Sequence, residues 1–216
     1  WRDYMVNIID TPGHVDFAGE VERALGAIDC AVIVVSAVEG MQSHTENILR
    51  ELTANKVPFI VFINKTDRAG ADVARAIGQI KTCCSEVIRV APIDDDNDAL
   101  ELAAEYDDAI LDAYLSGVPV EKARINAAIR MAVSEFRAVP VLRGSAKLGE
   151  GVERLLDAIT DYLPTADGRL IDGLSARVFK LEQDRIMGRV AHVRVYGGTL
   201  RSRELVAVAD DGTISR

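Results

Sequence analysis

The stretch V-P-F-I-V-F-I-N-K-T-D, residues 57–67, decides the fold class. It joins a nearly continuous apolar run, rich in β-branched and aromatic residues, to a short polar segment. A run of this kind is typical of a strand buried on both faces, as in a parallel sheet covered by helices. Similar runs occur elsewhere, and we predict strands at residues 4–10, 30–36, 57–64 and 139–143.

Helix-like stretches separate these strands. They predict helices near residues 16–28, 43–55, 71–88, 98–115, 120–136 and 150–162. Ser43 and Glu46 fit a capping box at the start of the second of these helices. Strands that alternate with helices predict an α/β fold, in which a parallel sheet has helices on both faces.

The pattern changes near residue 164. Residues 164–173 are rich in turn formers and predict a linker. After them, A-R-V-F-K-L, R-V-A-H-V-R-V-Y and L-V-A-V alternate with a period of two, which predicts antiparallel β structure. The segment Y-G-G-T between two of these runs predicts a hairpin. We therefore divide the chain into a first domain at 1–163, a linker at 164–174 and the first part of a second, β-rich domain at 175–216.

The net charge of −9 comes from one region of the chain. Residues 90–121 contain ten acidic residues and no Lys or Arg, so the rest of the chain carries about +1. Residues 175–216 contain eight basic and five acidic residues. The overall acidity therefore does not exclude an RNA-rich partner. Within the acidic region, residues 94–105 partly imitate a calcium loop, but Ala99 replaces the required glycine, and we predict an acidic turn that caps a helix.

No apolar run reaches the roughly 20 residues that span a bilayer, so no membrane partner is expected. The three cysteines, Cys30, Cys83 and Cys84, do not suit a disulfide framework and fit a reducing cytoplasm. The sequence opens with Trp1 and enters a strand-like run at once. We interpret the chain as a fragment that starts inside a domain.

Three polar motifs each follow a predicted strand: D-T-P-G-H at 10–14, N-K-T-D at 64–67 and G-S-A-K at 144–147. Ligands of doubly wound sheets bind at the carboxyl ends of the strands. There Asp10 could hold Mg²⁺ through water, and a glycine amide just beyond it could meet a terminal phosphate. Asp67 could accept hydrogen bonds from N1–H and the 2-amino group of guanine, a pair of donors that adenine lacks. A backbone N–H in the third motif could meet guanine O6.

In this order the motifs resemble the signature of P-loop GTP-binding proteins. D-T-P-G-H followed by V-D-F is similar to the translational GTPases, including elongation factor G. Within that group the chain is most similar to ribosomal-protection tetracycline resistance proteins, because residues 67–144 show no extra β subdomain. Peptide chain release factor three is the alternative. The resemblance implies a P-loop GTPase-type parallel sheet with flanking helices, its N-terminal strands missing, followed by the start of an antiparallel β-barrel.

The resemblance also implies a site, two cofactors and a partner. It implies Mg²⁺ held through water by Asp10, a γ-phosphate bound by the Gly13 amide, and a catalytic His14 that orients the attacking water. The stem of Lys65 would stack under the base. The implied nucleotide-binding residues are Asp10, Thr11, Pro12, Gly13, His14, Asn64, Lys65, Asp67, Ser145, Ala146 and Lys147. GTP and Mg²⁺ would be the cofactors, and the ribosome, both rRNA and ribosomal proteins, the partner.

The sequence departs from this family in two respects. It contains no G-x-x-x-x-G-K-[ST], the loop that binds the phosphates, and it lacks the switch Thr that completes Mg²⁺ coordination, so we expect this piece to be inactive alone. In the resembled fold, the strand before that loop lies between the strands predicted at 4–10 and 30–36. We therefore expect chains to associate through exposed strand edges; the alternatives are direct pairing of the two strands, or a poorly ordered gap filled with water. The alternative functions are a general translation factor of elongation factor G or release factor type, and a nucleotide-free module that docks protein or RNA.

Overall fold

A computed structural model describes residues 1–11, 24–84, 88–165, 173–209 and 213–215. The chain divides into two compact units. One consists of Trp1–Asn7 and Asp29–Thr165, and the other of Ile8–Ile28 and Ala166–Arg216.

A four-stranded parallel sheet forms the centre of the first unit. Its strands are β1 (Ala31–Ser36), β2 (Phe59–Asn64), β3 (Arg89–Pro92) and β4 (Ala138–Arg143), in the order β1-β2-β4-β3. The central strands β2 and β4 are buried along almost their whole length. The parallel sheet predicted from the apolar runs is therefore confirmed.

In the described part of this unit, six helices accompany the sheet: α1 (Ser43–Ala54), α2 (Val73–Cys83), α3 (Asp96–Ala104), α4 (Asp108–Leu115), α5 (Lys122–Ser134) and α6 (Val152–Tyr162). Side chains of β2 alternate between the two faces of the sheet. Ile60 and Phe62 lie in one core cluster with buried residues of α3 to α6, such as Ile110 and Ile129. The helices α1 and α2 bury Leu49, Leu52, Ala76 and Ile80.

Several predicted elements are wrong. Residues 4–10 form no strand, since no strand among the described residues pairs with them, and Tyr4 and Ile8 are 41% and 82% exposed. The helix predicted at 98–115 is two helices, and β3 was not predicted. The capping box at Ser43 is absent, since α1 follows Gln42, whose side chain makes no capping hydrogen bond. A capping box does occur at α3, where Asp95 and Asp98 confirm the predicted acidic cap.

The second unit contains a four-stranded antiparallel sheet. Its strands are β5 (Ser175–Asp184), β6 (Gly188–Gly197), β7 (Ala207–Val208) and β8 (Thr213–Ser215), in the order β6-β5-β8-β7. Leu174, Ala176 and Ile214 form its small core. The hairpin predicted at Y-G-G-T is wrong, because β6 pairs with the preceding β5 and β7 pairs with β8.

No helix in the described part of the chain has the length and apolar character needed to cross a membrane. Association between chains stays a prediction.

Candidate functional site

The second and third polar motifs meet at one edge of the parallel sheet. The strands β2 and β4 are neighbours, with Ile63 paired to Arg143, so the loops that follow them start side by side. The amide of Gly144 donates to the carbonyl of Ile63 at 2.9 Å, and the amide of Thr66 donates to the carbonyl of Gly144 at 3.3 Å. These backbone hydrogen bonds connect residues 64–67 to residues 144–147.

The side chain of Asn64 strengthens this junction. Its Oδ1 atom accepts one hydrogen bond from the amide of Lys65 at 2.8 Å and another from the amide of Ala146 at 2.9 Å. An amide oxygen has two acceptor lone pairs, and both are used here. The Asn64 side chain is thus a bridge between two loops that lie 82 residues apart in the chain.

Lys65 has an unusual backbone conformation. Its φ angle is +64°, in the left-handed region that residues other than glycine adopt infrequently. Such conformations cluster at functional sites, where the surrounding structure holds them in place. The Nζ atom of Lys65 lies 3.1 Å from the carboxylate of Glu39, which belongs to the loop after β1.

Asp67 is an exposed carboxylate that faces the second loop. Interaction with the Ser145 side chain is the largest cause that holds the pKa of Asp67 below its usual range, and the charges of Arg68 and Lys147 contribute. The Ser145 side chain is fully buried, and its hydroxyl has no hydrogen bond of ordinary length among the described residues. With its lowered pKa, Asp67 is ionised at neutral pH and can only accept hydrogen bonds.

The loop after β4 is compact. The amide of Ser145 donates to the carbonyl of Glu150 at 3.0 Å, and the amide of Glu150 donates back at 3.1 Å. Gly144 is needed for this closure, since a Cβ atom at that position would collide with the carbonyl oxygen of Glu150. The closed loop lies beside residues 64–67, and its Ser145 and Ala146 amides donate to Glu150 and Asn64. A carboxylate acceptor beside a loop of main-chain amides is an arrangement that suits a planar base with both donors and an acceptor along one edge.

The predicted site residues have different outcomes. The structure brings together Asn64, Lys65, Asp67 and the segment Ser145–Ala146–Lys147. Asp10 is exposed and Thr11 is half-buried, and both belong to the second compact unit. Pro12, Gly13 and His14 lie outside the described residues. The nucleotide-binding and catalytic roles of all these residues stay predictions.

Sequence reasoning missed two residues beside the site. Ser36 is the last residue of β1 and Glu39 belongs to the loop after it, and an ion pair connects Glu39 to Lys65. One sequence signal for this loop is its position after a buried strand, at the same edge of the sheet as the motifs.

Comparison with known proteins identifies the family. The family model for the elongation factor Tu GTP-binding domain matches residues 1–165. The chain is 35% identical to tetracycline resistance protein TetP of Clostridium perfringens, over 96% of the chain and 35% of that protein. It is 32% identical to elongation factor G of Thermotoga neapolitana, over the whole chain and 40% of that protein. It is 33% identical to tetracycline resistance protein TetW of Butyrivibrio fibrisolvens, over 97% of the chain and 34% of that protein.

A solved structure agrees with these matches. A crystal structure of a protein from Thermus thermophilus has a TM-score of 0.76 and 27% sequence identity, over 95% of this chain and 37% of that one. The chain thus spans little more than a third of the length of its relatives. The sequence motifs, the parallel sheet and these matches agree, and the chain belongs to the family of translational GTPases that includes elongation factor G and the tetracycline resistance proteins.

Proposed function

We propose that the intact protein is a GTPase that reads guanine with the two loops after β2 and β4. The observation that supports this proposal most directly is the Asn64 bridge, which fixes the loop of Asp67 to the loop of Ala146. The bridge adds a side-chain restraint to the backbone hydrogen bonds that already join the two loops. A fixed separation between acceptor and donor groups allows a binding site to select one base by the hydrogen-bonding groups along its edge.

The base would be read by complementary hydrogen bonds. The ionised Asp67 accepts from N1–H and the 2-amino group of guanine, while an amide in the segment 145–147 donates to O6. Adenine presents an unprotonated N1 and an amino group instead, so it would leave polar groups mispaired. Each mispaired buried group costs about 1–3 kcal/mol. The methylene stem of Lys65 would pack against one face of the purine ring.

The first motif, residues 10–14, would form the part of the site that binds the phosphates and Mg²⁺. In this proposal Asp10 holds Mg²⁺ through water, the Gly13 amide meets the γ-phosphate, and Thr11 and Pro12 shape that loop. Bound Mg²⁺ would neutralise the charge that develops on the phosphates. His14 would orient the attacking water, since phosphoryl transfer depends on positioning and charge stabilisation. The carboxylate of Asp10 is a hard oxygen donor of the kind that Mg²⁺ prefers.

The ribosome is the proposed site of action, because the matched relatives include an elongation factor. We propose further that hydrolysis serves to release tetracycline. In the described residues between Asp67 and Gly144 the structure has four helices, α2 to α5, and the strands β3 and β4 of the parallel sheet, with no separate β subdomain. This arrangement favours the tetracycline-resistance type over the elongation factor G type, which typically carries a larger insertion there. Expression of the full reading frame in a sensitive bacterium should raise tetracycline tolerance, whereas a general translation factor would leave it unchanged.

The base assignment can be tested with Asp67→Asn in the intact protein. The substitution replaces one acceptor oxygen by an NH₂ donor, which opposes the 2-amino group of guanine but suits the 2-carbonyl of xanthine. We expect the variant to prefer XTP to GTP in competition binding. Asp108→Asn, at an exposed position in the first turn of α4, is the matched control and should retain the preference for GTP. An Asp67→Asn protein that still prefers GTP would refute the assignment.

A further inference from the structure

The loop after β1, residues 37–41, is held in one conformation by hydrogen bonds to Ser36, the last residue of β1. The hydroxyl oxygen of Ser36 accepts from the amides of Val38 at 3.3 Å and Glu39 at 3.2 Å. The amide of Gly40 donates to the carbonyl of Ser36 at 2.8 Å. Gly40 has a φ angle of +73°, so the chain turns sharply just after Glu39.

The helix α2 and the residue before it hold the same loop from outside. The amide of Asp72 donates to the carbonyl of Ala37 at 2.9 Å, and the guanidinium of Arg75 donates to the carbonyl of Val38 at 2.5 Å. The side-chain oxygen of Gln79 accepts from the amide of Met41 at 2.9 Å. The backbone of Glu39 is therefore fixed from both directions.

The Glu39 carboxylate points to one cation. Its Oε2 atom lies 3.1 Å and its Oε1 atom 3.4 Å from Nζ of Lys65, so both oxygens face the ammonium group. Ser36, first, and then Lys65 hold the pKa of Glu39 below its usual range. The backbone of Lys65 is also fixed, by its left-handed turn and by the hydrogen bond from its amide to Asn64. Both ends of the ion pair are thus held in place before any ligand arrives.

We infer that Glu39 is a positioning residue for Lys65 in the guanine site. Holding the ammonium group at a fixed point restrains the four-carbon stem, which can then present an apolar edge to a purine ring. A free lysine would have to give up rotamer freedom when the base binds, and the ion pair removes part of that cost. This inference rests on the proposed function, because it assigns Glu39 a role in binding the same base.

The exposure of the Glu39–Lys65 ion pair to solvent limits how strongly it can affect the binding of the base. The side chains of Lys65 and Glu39 are 39% and 51% exposed, and ion pairs at such positions are weak. We expect Glu39→Gln to weaken the binding of GDP by about two- to fivefold. Because the pair is open to solvent, this difference should shrink as the salt concentration rises beyond about 0.5 M.

A double-mutant cycle separates positioning from a structural role. Binding of GDP that carries a fluorescent label is measured for the intact protein, for Glu39→Gln, for Lys65→Met and for the double variant. Lys65→Met keeps an apolar stem but removes the ammonium group. If Glu39 acts through Lys65, Glu39→Gln should have no further effect once Lys65 is methionine. Glu135→Gln is the matched control, since Glu135 pairs with Arg137 at 3.3 Å with similar exposure, just before β4 begins at the opposite edge of the sheet.

The outcomes are distinct. A salt-sensitive loss in Glu39→Gln that disappears in the Lys65→Met background supports the inference. An equal loss in both backgrounds, or no loss when the unaltered protein binds GDP tightly, overturns the inference and leaves the proposed function standing. Failure of the unaltered intact protein to bind GDP overturns the proposed function and the inference with it.

Discussion

The Asn64 bridge makes a quantitative prediction about the stability of the two base-binding loops. Asn64→Ala removes the single oxygen that accepts from the amides of Lys65 and Ala146. Each amide that loses its partner costs about 1–3 kcal/mol. Asn64 is only half-buried, so water can replace part of the loss and the lower end of this range applies. We therefore expect about 1 kcal/mol of local destabilisation at each amide.

Hydrogen exchange on the intact protein measures this loss where it occurs. A local loss of about 1 kcal/mol corresponds to roughly fivefold faster exchange of the Lys65 and Ala146 amides. The amide of Ile93, which donates to the carbonyl of Val141 at 2.8 Å, should be unaffected because that bond lies on the other side of β4. Asn64→Asp keeps an acceptor oxygen on a side chain of the same length, so it should preserve most of the protection.

Two results of the exchange experiment would refute the interpretation that Asn64 bridges the two loops. Exchange at Ala146 that is equally slow in Asn64→Ala and in the unaltered protein would show that the main-chain bonds alone hold the loops together. Acceleration of the same size at Ile93 would show that the substitution loosens the sheet as a whole. Loss of GDP binding in Asn64→Ala, with binding retained in Asn64→Asp, would connect the bridge to function.

Further predictions concern other positions of the first unit. Gly144→Ala should cost about 1–3 kcal/mol of stability, because the new methyl group meets the backbone of Glu150, and calorimetry should show a lower melting temperature. Gly78→Ala, on α2 with nothing within 4 Å of the new methyl group, should instead gain about 0.5–1 kcal/mol. Ile129→Ala opens a cavity at a fully buried position and should cost about 2–5 kcal/mol in the same measurement. Burial raises the pKa of Tyr162 to about 12, so its contribution to stability is constant below the unfolded pKa of about 10 and is lost as pH rises from there towards 12. Tyr162→Phe should remove this part of the decline in alkaline unfolding curves.

The strands that form the site could be predicted from the sequence because they are buried on both faces. The runs that became β2 and β4 are almost wholly apolar and end in polar motifs, and burial on both faces requires that composition. The strand β3 has only two buried residues, Val90 and Ala91, between exposed ends. A pattern so short carries no periodicity. At residues 4–10 a strand was predicted that the structure does not contain. Apolar composition alone does not supply the neighbouring strand with which a backbone must form hydrogen bonds.

The break between α3 and α4 shows a second limit of sequence patterns. Asp107 accepts hydrogen bonds from the amides of Ala109 and Ile110 and so starts a new helix, while its carboxylate also pairs with Arg124. An aspartate within an amphipathic stretch suits either an exposed helical position or a cap. The ion pair with Arg124, 17 residues further along the chain, holds this carboxylate at the cap, and a local pattern cannot show that contact.

The site shows the same division between local and distant information. The motifs 64–67 and 144–147 could be found because each follows its own strand, and parallel strands bring their carboxyl ends together. The contact between Glu39 and Lys65 joins positions 26 residues apart on different loops. The sequence around either residue contains no pattern that predicts the other as its partner.

The register between β2 and β4 connects the core of the first unit to the proposed base site. Phe62 pairs with Leu142 and Ile63 with Arg143, and Asn64 and Gly144 follow directly from these pairs. A slip of one residue would shift the strands by about 3.3 Å and turn every side chain to the other face of the sheet. The hydrogen bond of 2.9 Å from Ala146 to Asn64 could not survive such a shift. Phe62 and Leu142 both lie in the core cluster and are nearly fully buried, so their packing opposes the slip. Substitutions in this core should therefore weaken guanine binding even though no core residue would touch the base.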